Sequence, residues 1–333
     1  MLAYLFPGQG SQRPGMGKPL FDSSDLARRV FERARDQGST DYADVCFGSS
    51  TRLLSTTQYA QPSIFVCSIC AWETLAADGL RPDIVAGHSV GEMAALVSAG
   101  ALSTGAALSA LEQRGRLMQE ADEGAMVTII GLDPGHVDQL CVEARVQGPV
   151  VVGLVNGPEN TVVSGAPGAV RSVQRAAVRT GALRVLSLPT DRAFHSPLME
   201  PVVERWANHV SAMDIASPHT PIVLSTTGEA TRDSRVIRKA MVDQFTHPVR
   251  WDRVVKTLAG TGVTVAVEVG ESKALRSLVR MINPQIRTFS TLGKSSTAQL
   301  CASVRSELSG AAPPAPRDSA QDRRLEESTS HVV

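Results

Sequence analysis

Ile84-Val85-Ala86-Gly87-His88-Ser89-Val90-Gly91-Glu92 joins a short apolar run to a helical one through two glycines and a serine. The four residues ending at Gly87 suit a buried strand. The run from Val90 to Ser98 suits a helix, which Gly100 closes. Between them, Gly87-His88-Ser89-Val90-Gly91 fits the G-x-S-x-G pattern of a strand–turn–helix elbow. Five residues recur by chance, so the weight rests on the strand before and the helix after. The glycines let strand and helix approach closely. The serine hydroxyl is left at a helix N-terminus, where the dipole favours developing negative charge. Ser89 is the candidate nucleophile; the plainer alternative is a tight turn with an inert serine.

Outward from the elbow, strands alternate with helices. Leu2 to Phe6 reads as a strand feeding a Gly-rich turn, and a helix starting at Ser103-Thr104 carries Leu108, Leu111, Leu117 and Met118 on one face. Such alternation implies a mainly parallel sheet covered by helices. The texture changes near Gly124. Strands at 126–130, 150–156, 160–164 and 183–188, with helices at 136–145 and 170–180, follow the βαββαβ order of a ferredoxin-like unit. The chain then returns to the first pattern with a helix at 197–212 and strands at 222–225 and 263–269. The expected fold class is α/β: an α/β-hydrolase-like large domain (1–123 and 193–297) with an inserted ferredoxin-like small domain (124–192). The stretch 309–333, with Ala311-Ala312-Pro313-Pro314-Ala315-Pro316 and then mixed charges, is expected to be disordered.

Composition narrows the function by exclusion. Lys plus Arg number 33 against 33 Asp plus Glu, and aromatic residues are 4%, so neither charge nor base-stacking surface suggests nucleic acid. No apolar run reaches the roughly 18 residues that span a bilayer. Five cysteines, an odd number with no secretory segment before the first strand, suit a cytoplasmic protein with reduced thiols. Cys67-Ser68-Ile69-Cys70 lies in an apolar helical run without a second pair at zinc spacing, so it reads as two small core residues and no metal is expected. Charge is nonetheless uneven: residues 215–297 hold 12 basic against 6 acidic residues. That surplus reads as a solvated surface or as a docking face for an acidic partner.

A serine hydroxyl needs a base. Of seven histidines, His88 adjoins Ser89 and should point away from its hydroxyl, and His331 is in the tail. His136, His209, His219 and His247 have no special surroundings. His195, in Ala193-Phe194-His195-Ser196-Pro197, stands where the inserted unit hands back to the larger one, a natural cleft wall. It is the strongest candidate. An elbow enzyme takes one oxyanion donor from the amide after the nucleophile, here Val90, and another from a loop after an early strand. Phe6-Pro7-Gly8-Gln9-Gly10-Ser11-Gln12 supplies such a loop, and Gln12 suits the role. The loop lacks the lysine and spacing of a nucleotide cradle.

Taken together, this loop, the elbow through Glu92, Arg114-Gly115-Arg116-Leu117-Met118-Gln119 and Ala193-Phe194-His195-Ser196 resemble the malonyl-CoA:acyl carrier protein transacylase family. Weaker matches include Thr57-Gln58-Tyr59-Ala60-Gln61-Pro62 and Pro248-Val249-Arg250-Trp251, and the resemblance runs from about residue 3 to 295. It implies an acyltransferase with Ser89 as nucleophile, His195 as base in a Ser–His dyad, and Gln12 and Val90 as oxyanion donors. Arg116 would grip the free carboxylate of a malonyl group, and Gln61 and His88 would line the acyl pocket. A bulky residue before the histidine, here Phe194, accompanies malonyl rather than methylmalonyl choice in the family. His247 replaces an asparagine of many relatives in the segment whose carbonyl orients the imidazole. Malonyl-CoA would be the substrate, no bound cofactor is needed, and the partner is the phosphopantetheine thiol of an acyl carrier protein. The chain is expected to act as a monomer. The alternatives are an acyl hydrolase that clears carrier proteins, a transferase for another extender unit, and a non-catalytic docking protein. Relatives that move uncharged acyl groups, and hydrolases, lack the arginine.

Overall fold

A computed structural model describes residues 1–48 and 51–310. Among them run the strands β1 (Leu2–Phe6), β2 (Ile84–Gly87), β3 (Ala125–Ile130), β4 (Val150–Gly157), β5 (Asn160–Gly165), β6 (Arg184–Ser187), β7 (Ile222–Val223), β8 (Ala230–Thr231), β9 (Val249–Arg250), β10 (Val265–Glu268) and β11 (Arg287–Ser290). The larger sheet has the order β11-β10-β1-β2-β7-β8. Its strands are parallel except β8, which turns back on β7.

All five residues of β1 are buried. A central strand covered on both faces needs an unbroken apolar run, and Leu2-Ala3-Tyr4-Leu5-Phe6 supplies one. Phe6 lies level with Gly87 of β2. The Gly-rich turn after β1 and the elbow after β2 therefore leave the same, C-terminal edge of the sheet, where open α/β sheets place their ligands. The helix Thr57–Ala77 is buried on nearly every side between Ala60 and Ala71. That is why it reads as an apolar run without a polar face. Cys67 and Cys70 are free and buried in it.

The smaller sheet runs β6-β3-β5-β4-β9. Its first four strands, with the helices Pro134–Ala144 and Pro167–Arg179, form the ferredoxin-like unit around a core that includes Val127, Ile129, Val137, Val163 and Val173. Its last strand, β9, lies parallel to β4 and comes from the returning chain after Pro248. Two residues of pairing are too short to leave a period, so β9 is invisible to a sequence reading. It ties the small unit to the large one.

The C-terminal expectation needs correction. A helix, Ala298–Ser309, extends past residue 297 and buries Leu300, Cys301 and Val304. Ser309 ends that helix and Gly310 caps it with φ 67°, so 309 and 310 are structured. Residues 311–333 of the expected tail lie outside the described residues. No helix among the described residues is long and apolar enough to cross a membrane.

The elbow glycines are steric necessities. A Cβ on Gly87 would sit 2.2 Å from the Glu92 amide nitrogen, and one on Gly91 2.2 Å from the Phe6 carbonyl oxygen. Both obstacles are backbone, which cannot step aside. Gly91→Ala is expected to cost about 3 kcal/mol, the upper end of overpacking penalties. A lowered urea midpoint with full-length protein would register it; an unchanged midpoint would mean the elbow can open.

Candidate active site

Ser89 sits at the tip of the elbow with φ 50° and only 9% exposure. A non-glycine residue held at positive φ is strained, and strain of this kind concentrates at functional turns. The Ser89 amide is followed by that of Val90, which begins the helix Gly91–Ser98. Among the described residues His195 is the other non-glycine residue at positive φ, 58°. Its Nε2 lies 2.8 Å from Ser89 Oγ. Its Nδ1 lies 2.7 Å from the Gln244 carbonyl oxygen. A carbonyl only accepts, so the neutral ring carries its proton on Nδ1, and Nε2 is left to accept from the serine hydroxyl. Among the described residues no carboxylate hydrogen-bonds to His195, so a carbonyl orients the ring where a triad would use an acid.

Burial, reinforced by the nearby Arg114 charge, pushes the His195 pKa down to about 3. The imidazole is therefore neutral, and able to act as a base, across the physiological range. The segment that carries it is held by the small unit: Ser164 on β5 donates to the Phe194 carbonyl oxygen at 2.6 Å. Phe194 itself is buried. His88 points away from the hydroxyl and across the seam, with Nε2 2.9 Å from Asn156 Oδ1 on β4 and its ring edge-on to Trp251.

Of the two arginines in this segment, Arg114 is the buried one, not the expected Arg116. Arg116 is exposed and donates to Gln113 Oε1. Arg114 is 2% exposed. It donates to Gln61 Oε1 at 2.6 Å and to Gln244 Oε1 at 2.8 Å, with its guanidinium over the Phe245 ring. Residues two apart on a helix point about 200° from each other, so both cannot face one site. The signal was present: Leu111, Arg114 and Met118 share a helical face at spacings of three and four. Burial lowers the Arg114 pKa to about 10, still cationic at neutral pH. It forms no ion pair among the described residues.

Two further residues shift. The carbonyl on the imidazole is mainly that of Gln244; the His247 backbone contributes more weakly, and its side chain is exposed beside Thr246 and the Asp243 carbonyl. In the Gly-rich loop, Gln12 turns back on its own chain and accepts the Gly10 amide. It is Gly8 that meets the elbow, so closely that a Cβ there would lie 2.5 Å from the His88 carbonyl oxygen. The next residue, Gln9, accepts from Gln61 Nε2 at 3.1 Å and donates to Thr57. A continuous polar string thus runs from Gln9 through Gln61, Arg114 and Gln244 to His195. Gln9 and Gln244 carry no spacing signal in the sequence; they are neighbours only in space.

The model of the acyl transferase domain family matches residues 3–289. A malonyl CoA-acyl carrier protein transacylase of Bacillus subtilis (strain 168) is 34% identical over 292 residues, covering 86% of this chain and 92% of the relative. ThaF, a polyketide biosynthesis protein of Burkholderia thailandensis, is 33% identical over 321 residues, 95% of this chain but 27% of its own length. Among solved structures, the malonyl CoA-acyl carrier protein transacylase of Coxiella burnetii superposes with a TM-score of 0.87 at 31% identity, covering 91% of this chain and 96% of that one. A malonyl-transacylase solved in complex with its type II polyketide-synthase acyl carrier protein gives 0.86 at 31% identity, over 89% and 98%.

Proposed function

The chain belongs to the malonyl-CoA:acyl carrier protein transacylase family, and on that premise we propose that Ser89 and His195 carry a malonyl group from malonyl-CoA to an acyl carrier protein. The protein is an acyltransferase. The observation that carries the reading is a buried guanidinium without a carboxylate partner, held by the Gln244 amide whose own backbone carbonyl orients the imidazole hydrogen-bonded to Ser89.

In the first half-reaction the Ser89 hydroxyl gives its proton to His195 Nε2 as its oxygen attacks the thioester carbon. The oxyanion accepts from the amides of Val90 and Gln9, the second role passing from Gln12 to the residue beside the elbow. The carbon–sulfur bond breaks, the proton passes to the sulfur, and CoA leaves as a thiol. In the second half the carrier's phosphopantetheine thiol gives its proton to His195 as its sulfur attacks the ester carbon; the carbon–oxygen bond to Ser89 breaks, and His195 returns the proton to the serine oxygen. Arg114 pairs with the malonyl carboxylate through two parallel hydrogen bonds. Gln61, His88 and Phe194 line the acyl side. Exposed Arg276 and Arg280 on the helix Ala274–Ile282, which packs next to β4, and exposed Lys273 at its N-cap support docking of an acidic carrier there. Incubation with labelled malonyl-CoA and a holo carrier protein tests the reading. Label should move to the carrier; release as free malonate without transfer would make the protein a hydrolase.

The depressed His195 pKa predicts an unusual pH pair. The acid limb of kcat/KM reports the free enzyme's base. It should lie far below the usual imidazole value of 6.5, leaving acylation flat from about pH 5 to 8. Stability should behave oppositely. Below 6.5 the unfolded histidine binds a proton that the native one refuses until about pH 3, so stability declines as pH falls through that window. Acylation rates and urea midpoints over one pH series check both. An acid limb near 6.5 would contradict the buried neutral imidazole.

A further inference from the structure

We propose that Gln244, oriented by Glu92, is a specificity-determining residue: its side-chain amide holds a buried carboxylate off Arg114, so the guanidinium stays free for the carboxylate of a dicarboxylic acyl group. The inference rests on the transfer reaction proposed above and concerns how its acyl selectivity is built.

Glu92 is 2% exposed and Gln244 4%. Glu92 Oε2 accepts from the Ser225 amide at 2.7 Å, and Oε1 from Gln244 Nε2 at 3.3 Å. Both oxygens accept, as those of a carboxylate do; burial pushes the Glu92 pKa up, and the Ser225 hydrogen bonds and the nearby Arg114 charge oppose that push. Gln244 Nε2 also donates to Ser225 Oγ at 3.1 Å, while Gln244 Oε1 accepts from Arg114. The amide therefore stands between the two charges. Arginine offers only donors and a carboxylate only acceptors. A side-chain amide can face both at once, and the two charges leave it one orientation. Glu92 thus offsets the buried positive charge without occupying its donors.

The consequence concerns the free enzyme. Arg114 is held by two neutral amides, Gln61 and Gln244. Exchanging a neutral acceptor for a carboxylate strengthens the hydrogen bonds. Had Glu92 paired with Arg114 directly, an entering carboxylate would have to displace it and leave a buried charge unpaired. Nor can an acyl group approach from behind. The space enclosed by Glu92, Met93, Arg114, Trp206, Met241 and Gln244 is about 10 Å³, room for about one water.

Two variants test this, with kcat/KM for malonyl-CoA and acetyl-CoA measured on each. Gln244→Glu keeps the size and the backbone carbonyl on His195 but puts a carboxylate against Arg114. The malonyl-to-acetyl ratio should fall about 100-fold, chiefly through the malonyl KM. Combining it with Glu92→Gln restores the original net charge but leaves the carboxylate on Arg114. The ratio should stay low in that double variant too. A double variant with the original ratio would show that net charge, not placement, sets selectivity, and would overturn the proposal. So would a ratio unchanged in Gln244→Glu. Should the single variant not fold, the charge-balanced double still decides. If the unmodified protein showed no malonyl preference, the functional reading itself would fail, a distinct result.

Discussion

Ser89→Ala is expected to lower acyl transfer by about 10⁴-fold or more and to abolish the acyl-enzyme altogether. The serine oxygen is the atom that becomes the ester, so no neighbour can substitute for it. His195→Ala should cost nearly as much, because the hydroxyl then has no acceptor for its proton. The double variant should be scarcely worse than either single one, since the two groups act as a unit. Mass spectrometry of protein incubated with malonyl-CoA reads the result directly. An adduct of malonyl mass on Ser89→Ala would displace Ser89 from its role. The positive φ at both residues adds a second expectation. Alanine keeps the Cβ that makes a positive φ costly, so neither variant should gain stability by relief of strain, and His195→Ala should lose some because it empties a buried site.

Arg114→Ala is the second large effect, and its pairing with Arg116→Ala makes it sharp. Loss of the buried guanidinium should reduce kcat/KM for malonyl-CoA by about 10²- to 10³-fold. Acetyl-CoA carries no carboxylate to lose its partner, so its transfer should fall far less and the preference should invert. Arg116→Ala should change neither substrate by more than about twofold, as exposed residues away from a site rarely matter. Equal losses for malonyl and acetyl in Arg114→Ala would make the arginine a packing element, bridging Gln61 to Gln244, and would remove the basis for malonyl selectivity. A large malonyl defect in Arg116→Ala would return the clamp to the outer face of the helix.

Legibility divides along the distance over which each feature is specified. The elbow was readable because strand, glycine, serine, glycine and helix follow within nine residues, and each constrains the next. The βαββαβ succession was readable because a strand's period of two and a helix's of 3.6 are written into consecutive residues. His195 could be singled out by standing at a junction between two textures, though only proximity to Ser89 makes a base of it. The short strands β8, β9 and β11 passed unseen, because two to four residues of pairing borrow their stability from neighbours already in place.

By itself, then, the amino-acid order determined the α/β class, the inserted ferredoxin-like unit and the serine elbow, and it singled out His195 as a candidate. Tertiary structure alone buried Arg114 and left Arg116 outside, set the Gln244 carbonyl on the His195 ring, and turned Gln9 toward Gln61 while Gln12 folded back on its own loop. The reason is physical. Each of those choices lies within a few residues along the chain, where periodicity barely separates the candidates. What separates them is which side chain is turned into a site assembled from helices and loops more than a hundred residues apart.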